Sequence, residues 1–434
     1  MRAGRWIALV VAVVAGCRQG DRSRTESADP PPGPSAVRPA GSDRLWGPGT
    51  EPVGRSGRWY RGRLRFGEYG VPFHFQMTEP DAEGRGQVVL VNGPEVTAWD
   101  YEERDGRRHV DVSRFYTHMT LKPGERGAWR GTWAMSIPYR GHELELVAEP
   151  MAPSDGTRFE APEGAANEPA DFSGAWVFDF DRFGRAIARL RQRGGRVWGN
   201  VDMARGSDLR HVEGNVFGNR LFLSAFDGQH AFAFEVEYDP ELELVSGVLH
   251  VAPDWREAFT GERSEPEVFS KEVDFEERPV FDRTFLTEHD LVGRPFVVEL
   301  MGSWCSNCMD AVPRMKALHA EFSPKGVAFV GLSLEMVEDP KVAAGRVRSF
   351  VERFAISYPV VPITGSQDTL NSGLPVDLPD FAIPSFLFVN REGAVVHMRN
   401  GYSGPATGKA HQQQNAEFER LLEALAAPSK GTKP

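Results

Sequence analysis

The chain has 434 residues, 41% of them hydrophobic and 26% charged, which is enough for two or three domains with cores of their own. A net charge of -11, with no run of Lys or Arg, excludes nucleic acid as an expected partner. Only three cysteines occur, Cys17, Cys305 and Cys308, so a structural disulfide framework and a four-cysteine zinc site are both excluded. His319 lies eleven residues beyond Cys308, too far along a helix to complete a metal site, and no metal or other cofactor is expected.

The N-terminus opens on a basic stretch, Met1-Arg2-Ala3-Gly4-Arg5, followed by an apolar run over 6–15 that is too short to span a bilayer. It ends Val14-Ala15-Gly16-Cys17, which resembles a bacterial lipobox. That resemblance implies a signal peptide over 1–17, lipidation of Cys17, and export to an envelope membrane on its periplasmic side. Arg18 in place of Asp implies, by the same resemblance, the outer membrane where there are two. Residues 18–55, rich in Pro, Gly, Ser and charge with Pro30-Pro31-Pro32 near the centre, read as a disordered tether.

Residues 56–265 read as all-β. Gly194-Gly195, Gly218-Asn219 and Asp227-Gly228 each separate two alternating runs, the strongest short signal for a hairpin. Strand-like runs also fill 58–66, 73–77, 87–91, 96–101, 109–112, 117–121, 127–135 and 143–148. The expected architecture is an antiparallel meander closing into a barrel or sandwich. Ser56-Gly57-Arg58-Trp59 recurs as Ser173-Gly174-Ala175-Trp176, which suggests an internal duplication into 56–150 and 171–265, with 150–170 as the hinge. Phe222, Phe226, His230, Phe232, Phe234 and Val236 share even spacing and suit one buried face. His211 and His230 read as core or rim histidines of this region rather than as ligands.

From 266 to 428 helix and strand alternate. The apolar run 296–301 reads as a short buried strand; Gly302-Ser303 ends it, and Trp304-Cys305-Ser306-Asn307-Cys308 opens a helix over about 308–322. Three residues along a helical turn bring two thiols within disulfide reach, and the helix N-terminus favours a thiolate at the first. A strand over 327–334, a helix over 342–354, a short strand over 358–361, a hairpin over 385–389 and 394–398, and a closing helix over 416–426 complete the order of an α/β thioredoxin-like fold.

At these residues the chain resembles the membrane-anchored thioredoxin-like proteins of the TlpA/ResA group. The matching pieces are Trp304 to Cys308, Pro313 in the helix, Ile383-Pro384-Ser385 and Glu392-Gly393. Two longer stretches, 221–232 and 401–408, resemble an exported subgroup that also carries an N-terminal β-rich region. The resemblance implies that Cys305 is the exposed nucleophile and Cys308 the buried resolving thiol of a redox-active disulfide. It implies that Pro384 is a cis-proline facing the pair. Trp304, Ile383 and Pro384 would border the substrate, which pairs with this backbone like a strand. Many relatives carry Glu three residues after the second cysteine; here that position is Ala311, and Asp310 is expected to face elsewhere. Glu299, six residues before Cys305, matches the buried carboxylate of thioredoxins and would take the resolving thiol's proton. Asn307 stands where relatives often have Pro.

The expected protein is an exported, lipid-anchored thiol–disulfide oxidoreductase that reduces disulfides in other envelope proteins, with electrons from a membrane thiol transporter. Two rivals are a thiol peroxidase of peroxiredoxin type, for which Arg314 is the nearby arginine, and a binding or assembly module in which the β region does the work and the dithiol senses redox state.

Overall fold

The computed structural model describes residues 57–428, apart from 68, 113–114, 138–139, 153–156, 165–167, 254, 266–267, 366–370 and 380. The lipobox, Cys17 and the tether therefore lie outside the described residues. Among the described residues no helix is long and apolar enough to cross a membrane.

The β-rich region is two closed barrels of eight strands each. The first runs from β1 (Arg58–Phe66) to β8 (Arg140–Pro150), each strand pairing with the next. It closes where β1 meets β8, with Leu64 opposite Leu146. Alternation explains the inside: Tyr60, Leu64 and Phe66 point to the core, while Arg61, Arg63 and Arg65 do not. Gly62 faces inward too, because a side chain there would stand 2.5 Å from the Phe73 ring.

The second barrel runs from β9 (Gly174–Phe180) to β16 (Trp255–Ser264), and Phe180 opposite Phe259 closes it. Gly194 and Gly218 take positive φ of 60° in its tight turns, as the sequence predicts. Its interior is filled by Trp176, Phe178, Leu223, Phe234 and Phe259 with their neighbours. The two matching barrels settle the choice between barrel and sandwich.

Two expectations are corrected. On β13 (Arg220–Phe226) and β14 (Ala231–Asp239), Leu223 lies opposite Phe234 and Ala225 opposite Phe232. The inward residues of β13 are thus the odd-numbered ones. Phe222 and Phe226 turn outward, Phe226 onto Phe73 of the first barrel (4.5 Å between centroids) and Phe222 onto Phe159 (5.5 Å). Both faces of β13 are buried, so its hydrophobic period names no single face. The connection between the barrels is also no simple hinge. Arg158 is fully buried and donates to the Val91 carbonyl (2.7 Å), the Ser224 carbonyl (3.0 Å) and Asn92 Oδ1 (3.2 Å), with Glu213 at 3.3 Å. It fastens one barrel to the other.

The C-terminal domain is a five-stranded mixed sheet. At its centre β17 (Phe296–Met301), buried throughout, runs parallel to β18 (Ala328–Glu335) and antiparallel to β20 (Ser385–Val389). Outer strands β19 (Val360–Thr364) and β21 (Val395–Asn400) complete it. Among the described residues four α-helices flank it: α1 (Arg283–Glu288), α2 (Ser306–Phe322), α3 (Pro340–Phe354) and α4 (Lys409–Ala426). Helix α2 packs on the sheet face that carries Val297, Glu299 and Phe329, since its His319 ring lies 5.4 Å from Phe329.

Candidate redox site

The site grows from the end of β17. Gly302 follows it, and the Trp304 indole occupies the space a Gly302 side chain would need, 2.6 Å from an added Cβ. Trp304 is buried and donates through Nε1 to the Leu334 carbonyl at 2.8 Å. Cys305 then caps α2: its Sγ accepts the Cys308 N–H at 3.1 Å, and the two cysteines form a disulfide with Cα atoms 5.3 Å apart. A sulfur so placed meets the free donors and positive end of the helix, which favour a thiolate after reduction.

The Ile383–Pro384 bond is cis, and the Ile383 carbonyl oxygen lies 3.9 Å from Cys305 Sγ. The structure therefore brings Trp304, Cys305, Cys308, Ile383 and Pro384 together. Glu299 lies on β17 three residues before Gly302, fully buried on the α2 side of the sheet. Tyr358 donates to its Oε2 at 2.9 Å. Burial pushes the Glu299 carboxyl up to about 7, near the pH at which it could exchange a proton.

One expectation fails. Cys305, expected to be exposed, is only 4% exposed, and Cys308 is fully buried. The rim of the second barrel lies over them. Gln229 Oε1 accepts the Ser306 N–H at 3.2 Å. Asn307 donates to the Asp208 carbonyl at 3.0 Å and to its Oδ1 at 3.2 Å. Arg210 donates to the Ser306 carbonyl at 3.1 Å and stands 3.3 Å from Asp310 Oδ1; on its other side it donates through Nε to Glu95 of the first barrel at 2.8 Å. Burial raises Asp310 to about 7 and Asp208 to about 6.

Asp208, Arg210, Gln229 and Asp310 belong to no motif that the spacing of residues reveals. The only pointers were the stretches 221–232 and 401–408, which fall on opposite sides of this contact. Gln229 reaches the redox helix, while Gly401 and Tyr402 meet Gly206 and Ser207. His230 holds Asp227 at 3.3 Å on the rim, as a rim histidine should. Arg314 donates to the Asn415 carbonyl at 3.0 Å and to Glu419 at 2.5 Å, both on α4. Among the described residues no group of three or more His, Cys, Asp or Glu side chains could hold a metal ion.

Sheet order and a Cys-x-x-Cys disulfide at the head of α2 together define a thioredoxin-like α/β domain. Residues 282–414 match the Redoxin family. Over 136 residues the chain is 24% identical to the thiol-disulfide oxidoreductase ResA of Halalkalibacterium halodurans, covering 31% of this chain and 65% of that protein. It is 28% identical over 113 residues to the ResA of Bacillus subtilis, covering 26% of this chain and 56% of that one. The chain thus spans between half and two thirds of the length of these relatives. Among solved structures, it is similar to a thioredoxin-family thiol:disulfide interchange protein from Chlorobium tepidum (20% identity, TM-score 0.24, 32% of this chain and 83% of that one). It is also similar to a thiol-disulfide isomerase from Corynebacterium glutamicum (19% identity, TM-score 0.26, 38% and 96%). The C-terminal domain has a thioredoxin-like α/β fold, matches the Redoxin family over 282–414 and is similar in sequence to ResA-type oxidoreductases.

Proposed function

We propose that the chain is an exported thiol–disulfide oxidoreductase that reduces disulfides in other envelope proteins. Residues 1–17 direct export, lipid on Cys17 anchors the chain to an envelope membrane (the outer one where there are two), and 18–55 hold the folded part clear of the surface. The single observation that carries the chemistry is Cys305 at the cap of α2, accepting the Cys308 N–H at 3.1 Å with the cis Ile383–Pro384 bond beside it. In the reduced pair the Cys305 thiolate attacks one sulfur of a substrate disulfide. The substrate's S–S bond breaks, its other sulfur leaves as a thiolate and takes a proton, and a mixed disulfide forms. Glu299 then takes the Cys308 proton, and Cys308 attacks Cys305 Sγ. The second substrate sulfur leaves, and two electrons have passed to the substrate. A membrane thiol transporter restores the dithiol by the same exchange in reverse.

The relatives' names supply the reaction class, and the placement of Ile383 and Pro384 supports a peptide substrate pairing with that backbone. Insulin reduction by the full chain, compared with Cys305→Ala, tests the reading. Loss of turnover in the variant is expected; equal activity overturns it. A reduction potential of the Cys305–Cys308 couple near or below about -250 mV supports a reductant, whereas one near about -120 mV makes the protein an oxidant.

A further inference from the structure

Disulfide exchange needs a substrate sulfur brought up to the sulfur it exchanges with, yet Cys305 is buried. What covers it is specific. The two residues between the cysteines make polar contacts with the second barrel: Ser306 N–H to Gln229, Ser306 carbonyl from Arg210, Asn307 to Asp208. Gln229 is itself held in place, because the adjacent Gly228 carbonyl accepts from Thr117 (2.8 Å) and Trp133 (3.0 Å) of the first barrel. The backbone beside Pro384 is covered as well. Gly401 donates to the Pro384 carbonyl at 2.8 Å, and the next N–H, of Tyr402, donates to Ser207 Oγ of the second barrel at 3.3 Å. A side chain on Gly401 would stand 2.0 Å from the Gly206 carbonyl oxygen. Beside Asn307 there is a cavity of about 40 Å³ bordered by Asp208, Arg210 and His230. That is room for a water or two, not for a peptide.

We infer that Asp208, Arg210 and Gln229 are positioning residues of the dithiol: they clamp the turn between Cys305 and Cys308, and the clamp must release before a substrate disulfide reaches Cys305. The inference rests on the oxidoreductase reading of the same pair. The contacts suit release. They are polar and few, and each group freed can bond to water, so opening costs far less than unfolding either domain. While closed, the clamp fixes the geometry that sets the stability of the disulfide relative to the dithiol. Its loss therefore moves the reduction potential as well as the access.

The test is alkylation of the reduced full chain by N-ethylmaleimide, with Cys305 and Cys308 followed separately by peptide mass. Wild-type Cys305 is expected to label at least about tenfold more slowly than in urea-unfolded chain. Gln229→Ala is expected to speed Cys305 labelling roughly tenfold, as befits the loss of one such hydrogen bond, and Arg210→Ala, which loses its bonds to the Ser306 carbonyl, Asp310 and Glu95, by more than that. Cys308 stays protected, and the reduction potential shifts. A native Cys305 that labels at the unfolded rate overturns the inference, as do variants that label at the wild-type rate. If both cysteines of Arg210→Ala label in step, that variant has unfolded, and Gln229→Ala, which loses a single hydrogen bond, decides alone. Equal acceleration of both cysteines there also overturns it. Labelling needs no substrate, so the clamp survives a failure of insulin reduction, and insulin reduction survives a failure of the clamp.

Discussion

Tyr358 donates its phenol hydrogen to Oε2 of Glu299 over 2.9 Å, while Glu299 Oε1, equally buried, has no hydrogen-bond partner among the described residues. A buried carboxyl with one oxygen unpaired resists ionisation, although the Tyr358 hydrogen bond works the other way. Burial lifts it from an ordinary 4.5 to about 7. Between those values the folded chain keeps a proton that the unfolded chain has lost, so stability falls as pH rises from 4.5 to 7 and stays lowered above. Glu299→Gln removes the penalty. At pH 8 the variant is expected to be more stable by up to about 3 kcal/mol, with little difference at pH 4. Thermal unfolding at the two pH values reads this directly, and an unchanged or lower stability at pH 8 would refute a buried proton on Glu299.

The same pair of residues makes a kinetic prediction. If Glu299 takes the Cys308 proton, resolution of a mixed disulfide on Cys305 speeds up as pH passes through about 7. Glu299→Gln is expected to lose that inflection and to slow resolution by roughly a hundredfold. Tyr358→Phe keeps the shape but removes a donor that favours the ionised carboxylate, so the midpoint moves up. Single-turnover release of a chromogenic thiol across pH 5–9 measures both. A Tyr358→Phe profile that coincides with wild type would leave the hydrogen bond without a role in the proton's transfer.

Much of this arrangement is legible in the sequence. The strand 58–66 and the hairpin strand 385–389 coincide with the observed β1 and β20, and the Cys-x-x-Cys turn sits on the predicted strand–helix junction. Local chemistry suffices there: tight glycine turns, alternating side chains and a buried parallel strand each leave a short-range trace. Helix α4 starts at Lys409, not 416, because its first turns are polar and its buried Gln414 serves the Ser403 N–H at 2.8 Å rather than a core. The clamp was illegible for a related reason. Asp208 and Asn307 lie 99 positions apart and each looks like an ordinary surface residue in its own segment. Only the docking of two finished domains gives them a common task.

Arg158 carries a stability prediction. It is fully buried, and its guanidinium serves three acceptors besides Glu213. Arg158→Ala strands the Val91 and Ser224 carbonyls and leaves Glu213 with Arg196, at 2.6 Å, and the Gly93 N–H, at 2.8 Å. The expected cost is about 3 kcal/mol, near the lower end for breaking a buried ion pair because Arg196 remains. Urea unfolding followed by tryptophan fluorescence measures it; a loss below about 1 kcal/mol would mean that the barrels hold together without this fastening.

Gly401 tests the interface from the other side. Its φ is +74° and its missing side chain lets the Gly206 carbonyl approach. Gly401→Ala strains the backbone by about 1 kcal/mol and forces the two segments apart. Faster maleimide labelling of Cys305, with Cys308 still protected, is the expected result. A rate equal to wild type would show that the barrel rim does not guard this edge.

The strand order of the barrels has a consequence for how the molecule comes into being. In each barrel every strand pairs with the next, and the closing partner is the last strand made. A chain emerging from its N-terminus can complete one barrel, then the other, before the segment bearing Cys305 and Cys308 has appeared. The reactive pair then arrives at a template already built, and it is sheltered as soon as its own domain folds. During the interval in which unpaired thiols most readily join the wrong partner, this protein already holds the surface that covers them.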